Sequence, residues 1–173
     1  MRRLLAASLS FVVLVSVVCA LSAQALQPGG ADFTRLAGTW QLETGGNSPV
    51  ATERRVITVS PEWLRVETLR QEDARPPIIT YRFDGRETVN PFGSGKATSR
   101  LVLERGSIVT ETIYEINNAP ITVRETLSTN SAGNELTVNA VVRVEHGYEG
   151  PLAAGESRPP NVSNAMMVFR RQP

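Results

Sequence analysis

Ser107-Ile108-Val109-Thr110-Glu111-Thr112-Ile113-Tyr114-Glu115-Ile116, then Asn117-Asn118-Ala119-Pro120, then Ile121-Thr122-Val123-Arg124-Glu125-Thr126-Leu127: this stretch decides the fold. Ile108, Thr110, Thr112, Tyr114 and Ile116 fall on one side of an extended chain, and Val109, Glu111, Ile113 and Glu115 on the other. Side chains of a strand alternate between its two faces, so the pattern predicts a strand with one face turned to a core. The Asn-Asn-Ala-Pro step carries turn chemistry. After it, Ile121, Val123, Glu125 and Leu127 alternate with Thr122, Arg124 and Thr126. Asn130 to Asn134 turns the chain again, and Leu136, Val138, Ala140, Val142 and Val144 then make the longest clean apolar face in the protein.

The same signal continues outward from this segment. Upstream, Lys96 to Leu103 reads as a strand that runs into the turn Glu104-Arg105-Gly106. Further strands are expected at 39–43, 54–59, 63–69 and 78–83. Asp84-Gly85 follows the last of these directly, a hairpin signal that makes 86–89 the expected return strand and 90–95 the next loop. Downstream, 147–162 is a Gly- and Pro-rich loop, and 165–170 is the closing strand. Ala31 to Ala37 has room for one or two helical turns, with Asp32 as N-cap and Gly38 as terminator. About ten short strands in meander order predict an all-β protein, either a sandwich or an antiparallel up-and-down barrel of about eight to ten strands. Closure removes sticky sheet edges and therefore favours the barrel.

The N-terminus reads differently. Arg2 and Arg3 precede an apolar run from Leu4 to Leu21, and Ala23-Gln24-Ala25 places small residues ahead of a cleavage point. That order describes a secretory signal peptide over 1–25, with a single domain over 26–173 and a periplasmic or secreted destination in a bacterium. A retained anchor is the rival reading, since the run approaches the length of a bilayer span. Cys19, the single cysteine, would leave with the signal, so no disulfide is expected in the exported domain. The whole chain has a formal charge of +1, and loss of Arg2 and Arg3 brings the remainder to −1. Such a balance gives no electrostatic reason to expect nucleic acid or an anionic membrane surface as partner. Oligomeric state is not legible.

Candidate chemistry is sparse. His146 is the single histidine, no Gly-x-Ser-x-Gly elbow accompanies it, and its neighbours place it at a strand end, so no catalytic residue is assigned. No pattern of zinc or calcium ligands is present, and neither metal nor cofactor is expected. Gly93-Ser94-Gly95-Lys96 lacks the spacing of a phosphate loop and reads as a plain turn. Glu111, Glu115 and Glu125 lie on neighbouring predicted strands, where cross-strand ion pairs on a solvated face are expected. The aromatic residues are the better lead. Trp63, Tyr81, Phe83 and Tyr114 fall on predicted strands, with Arg65 beside Trp63, and together they form the candidate ligand-binding set. Simple filling of the core would account for the same aromatics.

Leu36-Ala37-Gly38-Thr39-Trp40 resembles the Gly-x-Trp opening of lipocalins and related calycin barrels. The Tyr81-Arg82-Phe83-Asp84-Gly85 segment and the late Thr-Glu-Thr and Arg-Glu strand pair are similar to those of exported bacterial lipocalin-like domains of unassigned function. The resemblance implies that Gly38 and Trp40 close one end of the barrel under a basic residue of the last strand, Arg170 or Arg171, with Arg170 taken as the closing residue. An indole face attracts a guanidinium, which supports that pairing. Three functional classes follow: an exported barrel for a small hydrophobic or aromatic ligand, which is favoured; an interaction or inhibitor module with a filled core, acting through loops; and a small isomerase- or cyclase-type barrel enzyme, which is disfavoured.

Overall fold

A computed structural model describes residues 33–45, 53–70, 75–117, 119–145 and 158–173. The expected signal peptide, His146 and most of the 147–162 loop lie outside these residues. Alternating runs become strands β1 (Gly38–Gly45), β2 (Arg54–Val59), β3 (Trp63–Leu69), β4 (Ile78–Arg82) and β5 (Thr88–Phe92). They continue as β6 (Gly95–Glu104), β7 (Ser107–Ile116), β8 (Ala119–Thr129), β9 (Glu135–Val144) and β10 (Asn161–Arg171). A short 3-10 helix, Phe33–Leu36, precedes β1 and is the helical turn read from the sequence.

All pairings are antiparallel, and the sheet order is β4-β3-β2-β1-β10-β9-β8-β7-β6-β5. Except for β4 and β5, each strand therefore pairs with its neighbours in the chain, and the first strand pairs with the last. The result is a nearly closed up-and-down barrel. Local chemistry sets the joints. Arg105 and Gly106 both take positive φ, as a two-residue hairpin turn requires. Asn130 Oδ1 accepts the backbone N–H groups of Asn134 (3.1 Å) and Glu135 (3.3 Å), which holds the β8–β9 turn.

Two local expectations change. Asp84-Gly85 does reverse the chain, with Gly85 at φ 74 and its N–H on the Arg82 carbonyl at 3.3 Å. It does not make a hairpin ladder, because β4 and β5 are the two edges of the sheet. The return strand starts at Thr88, not Arg86, and runs through Asn90-Pro91-Phe92, which the sequence suggested as loop. An edge strand tolerates Pro91 because its missing N–H breaks no interior ladder.

Side chains bridge the seam between these edges. Thr80 N–H donates to Asn90 Oδ1 (2.9 Å), and Asn90 Nδ2 donates back to the Thr80 carbonyl (3.2 Å). The Thr88 hydroxyl also reaches the Thr80 carbonyl. A carboxamide presents the same donor and acceptor as a peptide group, so Asn90, itself buried, stands in for a missing strand partner. Asn90→Ala is expected to cost about 1–3 kcal/mol, the range for removing buried hydrogen-bond partners, and to speed amide exchange at Thr80. Unchanged exchange there would remove the bridging role.

Candidate functional site

Parity sorts the barrel into a plugged end and a polar middle. At the plugged end the 3-10 helix buries Phe33 and Leu36 against Trp40, Leu64, Leu136 and Phe169. Trp40 is fully buried, and its indole N–H donates to the Leu36 carbonyl at 2.8 Å. The Arg171 guanidinium lies over the indole, 4.3 Å from the ring centroid. It also donates to the carbonyls of Gly133, Ala37 and Arg35, each at 2.6 Å. Gly38 belongs to this arrangement: its φ is +143°, and a Cβ there would collide with Arg171 Nη1.

The closing arginine is thus Arg171 and not Arg170. Phe169 points inward, so alternation turns Arg170 outward, where it pairs with Glu43 (2.6 Å) and Glu135 (3.0 Å).

Further along the barrel, an ionic group is buried. Arg55 continues the inward face of β2 that includes buried Ile57, and its side chain is only 7% exposed. Its Nε donates to Glu53 Oε1 (3.0 Å), and its Nη2 donates to Glu125 Oε1 (2.9 Å). Arg70, itself half exposed, adds a second cation to Glu53 at 3.1 Å. The Phe169 ring lies 5.0 Å from the Arg55 guanidinium carbon. Burial alone would lower the pKa of Arg55, but Glu125 and then Glu53 more than offset it, so the group is held above the ordinary arginine value.

Hydroxyl groups share this interior. Tyr81 Oη and Thr112 Oγ1 are 2.9 Å apart, and Ser99 Oγ donates to Thr112 Oγ1 at 3.4 Å. Thr110 is buried beside them and opposes Glu125 across the β7–β8 pair. Burial, and then the nearby Glu125 carboxylate, push the Tyr81 phenol up to about 12. Since the free phenol titrates near 10, the fold favours its neutral form. That contribution to stability is complete below about pH 10 and is lost as pH rises through about 12. A spectrophotometric titration is expected to show a tyrosine ionising at about 12, and Tyr81→Phe should abolish that step. Its persistence in the variant would reassign it.

The aromatic set divides. Tyr81 and Phe83 are buried and inward. Phe83 packs on Phe33 with centroids 4.6 Å apart, so it belongs to the plug. Tyr114 is half-buried and stacks on Phe92 at 4.3 Å. Trp63 and Arg65 stand on the outer face, because buried Leu64 and Val66 take the inward positions of β3. They do not join the interior. The acidic trio separates likewise. Glu111 pairs outside with Arg100 (2.7 Å), Glu115 is exposed, and Glu125 faces inward. Sequence reasoning passed over Arg55 and Glu53. The signal available was a charged residue in register with an apolar face, Arg55 before Ile57 and Glu125 between Val123 and Leu127.

Open pockets lie on the barrel among the described residues. One, of about 440 Å³, sits by Tyr114, Lys96 and Pro120; another, of about 200 Å³, sits by Leu36, Ile108 and Leu127. Neither is lined by Arg55 or Tyr81.

No protein-family model matches the sequence. No curated protein matches it either. Solved structures do match the fold. A "secretary abundant heat soluble (SAHS) protein" from Ramazzottius varieornatus aligns at 9% identity with a TM-score of 0.56, covering 80% of this chain and 96% of the other. The REP1-NXSQ fatty acid transporter aligns at 12% identity and a TM-score of 0.52, over 81% and 98%. Wild-type fluorescent protein UnaG aligns at 12% identity and 0.50, over 81% and 99%. At such low identity the likeness concerns the fold alone: the described residues form a ten-stranded, antiparallel up-and-down β-barrel similar in fold to these structures.

Proposed function

We propose that this protein is an exported barrel, periplasmic or secreted, that holds a small hydrophobic ligand in its interior. The supporting observation is an inner band in which small side chains stand on either side of Glu125. Asn90 opposes Ala97, Ser99 opposes Thr112, and Thr110, Glu125, Ala140 and Ala165 face one another across successive strands. Eight strands already make a lumen that side chains just fill or that holds one small ligand. A ten-stranded wall is wider, and short side chains at mid-height fill less of it. The Arg2-Arg3 n-region, the apolar run and Ala23-Gln24-Ala25 support export. One of the structural neighbours is a fatty acid transporter, so this type of wall is compatible with an apolar guest.

A thermal-shift series against apolar compounds tests the reading. A ligand at about a hundred times its Kd should add about 2.7 kcal/mol of stability, and mass spectrometry of the purified protein should find co-purified ligand. No stabilisation by any apolar compound would overturn it. The outcome would then favour the interaction-module reading, for which the outer face offers exposed Val89 and Ile113 on either side of Thr98.

A further inference from the structure

Resting on the binding-barrel reading, we infer that the interior selects a ligand with an uncharged polar head, such as an alcohol, a ketone or an amide, and disfavours a free carboxylate. Among the described residues, Arg55 is the one basic residue that is buried, and its charge is already answered. Glu53 and Glu125 each take one of its donors within 3.0 Å, and Arg70 balances the second acid from the rim. Two arginines and two glutamates sum to zero. An incoming carboxylate would therefore add an unbalanced negative charge to a poorly solvated site. Alternatively it would displace Glu125 or Glu53 from Arg55 and leave that side chain buried without a cation. Either route is costly in a poorly solvated interior.

An uncharged head meets no such obstacle. The hydroxyls of Tyr81, Thr112, Thr110 and Ser99 lie in the same wall. Each can both donate and accept a hydrogen bond, which matches an alcohol or a carbonyl oxygen. The Tyr81–Thr112 contact, where either oxygen can be the donor, can reorient without breaking the ionic group. Apolar Val138, Leu101 and Ile79, buried around it, would receive the hydrocarbon portion.

The test compares 1-decanol with decanoate, equal in chain length, as competitors of Nile red on the purified protein at neutral pH. Decanol is expected to bind at least about ten-fold more tightly, a difference of about 1.4 kcal/mol. Any greasy cavity would prefer the alcohol to some extent, so Glu125→Gln provides the decisive arm. Gln keeps an oxygen for Arg55 but removes one negative charge, and the preference for decanol should shrink by about ten-fold or reverse. The thermal midpoint of the variant confirms that it is folded. Equal or tighter binding of decanoate to the wild type would overturn the inference, as would a preference unmoved by Glu125→Gln. Failure of Nile red, decanol and decanoate alike would instead overturn the binding-barrel reading beneath it.

Discussion

Trp40→Ala is expected to lower the unfolding free energy by about 3–5 kcal/mol, the range for truncating a large buried aromatic. Trp40 is 0% exposed and sits where three parts of the chain converge. The 3-10 helix receives its N–H through the Leu36 carbonyl, the last strand lays Arg171 over its face, and the core packs Phe169 and Leu136 close by. Truncation would leave a cavity bordered by these elements and deprive the guanidinium of its ring. Arg171→Met gives up hydrogen bonds to Gly133, Ala37 and Arg35 that lie at the part-exposed rim, where water can replace the donor, and it opens no comparable cavity, so it should cost less than Trp40→Ala. Chemical denaturation of both variants measures the difference. A loss below about 1 kcal/mol for Trp40→Ala, less than a single buried methylene deletion often costs, would refute the closure described.

The second large effect belongs to Arg55→Met. It preserves most of the side-chain volume while removing the cation, and the expected loss at neutral pH is about 3–5 kcal/mol, the range for breaking a buried ion pair from one side. The reason is the stranded acids. Glu53 and Glu125 have side chains only 11% and 15% exposed, and without Arg55 only Glu53 retains a cation, Arg70. A triple variant that adds Glu53→Gln and Glu125→Gln should recover most of the loss, because replacing a whole buried ionic group is often close to neutral. Denaturation midpoints of the single and triple variants decide the matter. If the triple variant remains as unstable as the single one, lost packing against Phe169, not stranded charge, governs the site.

Several features of this molecule were legible along the chain. The period of two in β7, β8 and β9 identified inward Ile108, Thr110, Ile121, Leu127, Leu136 and Val138, because a strand has only two faces and one of them meets the core. Turn chemistry marked the joints at Arg105-Gly106 and Asn130–Asn134. The same alternation runs through Glu125 and Arg55, but their charge made a solvated face the expectation for Glu125 and left Arg55 unremarked, and both side chains are largely buried. That their charges face each other was not legible, since alternation reports the face of a residue and not its neighbour across a lumen. Arg171 was obscured for a related reason, as Arg170 is equally basic and only the inward turn of Phe169 tells the two apart.

The sequence by itself determined the strands, their turns and an all-β architecture, because each depends on residues near one another in the chain. Tertiary structure alone decided where the sheet leaves its seam. Asp84-Gly85 promises a ladder between β4 and β5, yet pairing of β1 with β10 completes the wall and makes those two strands its edges. It also decided that Arg55 meets Glu125, 70 residues away. Contacts across a barrel arise from closure and register, which are properties of all ten strands together and of no single segment.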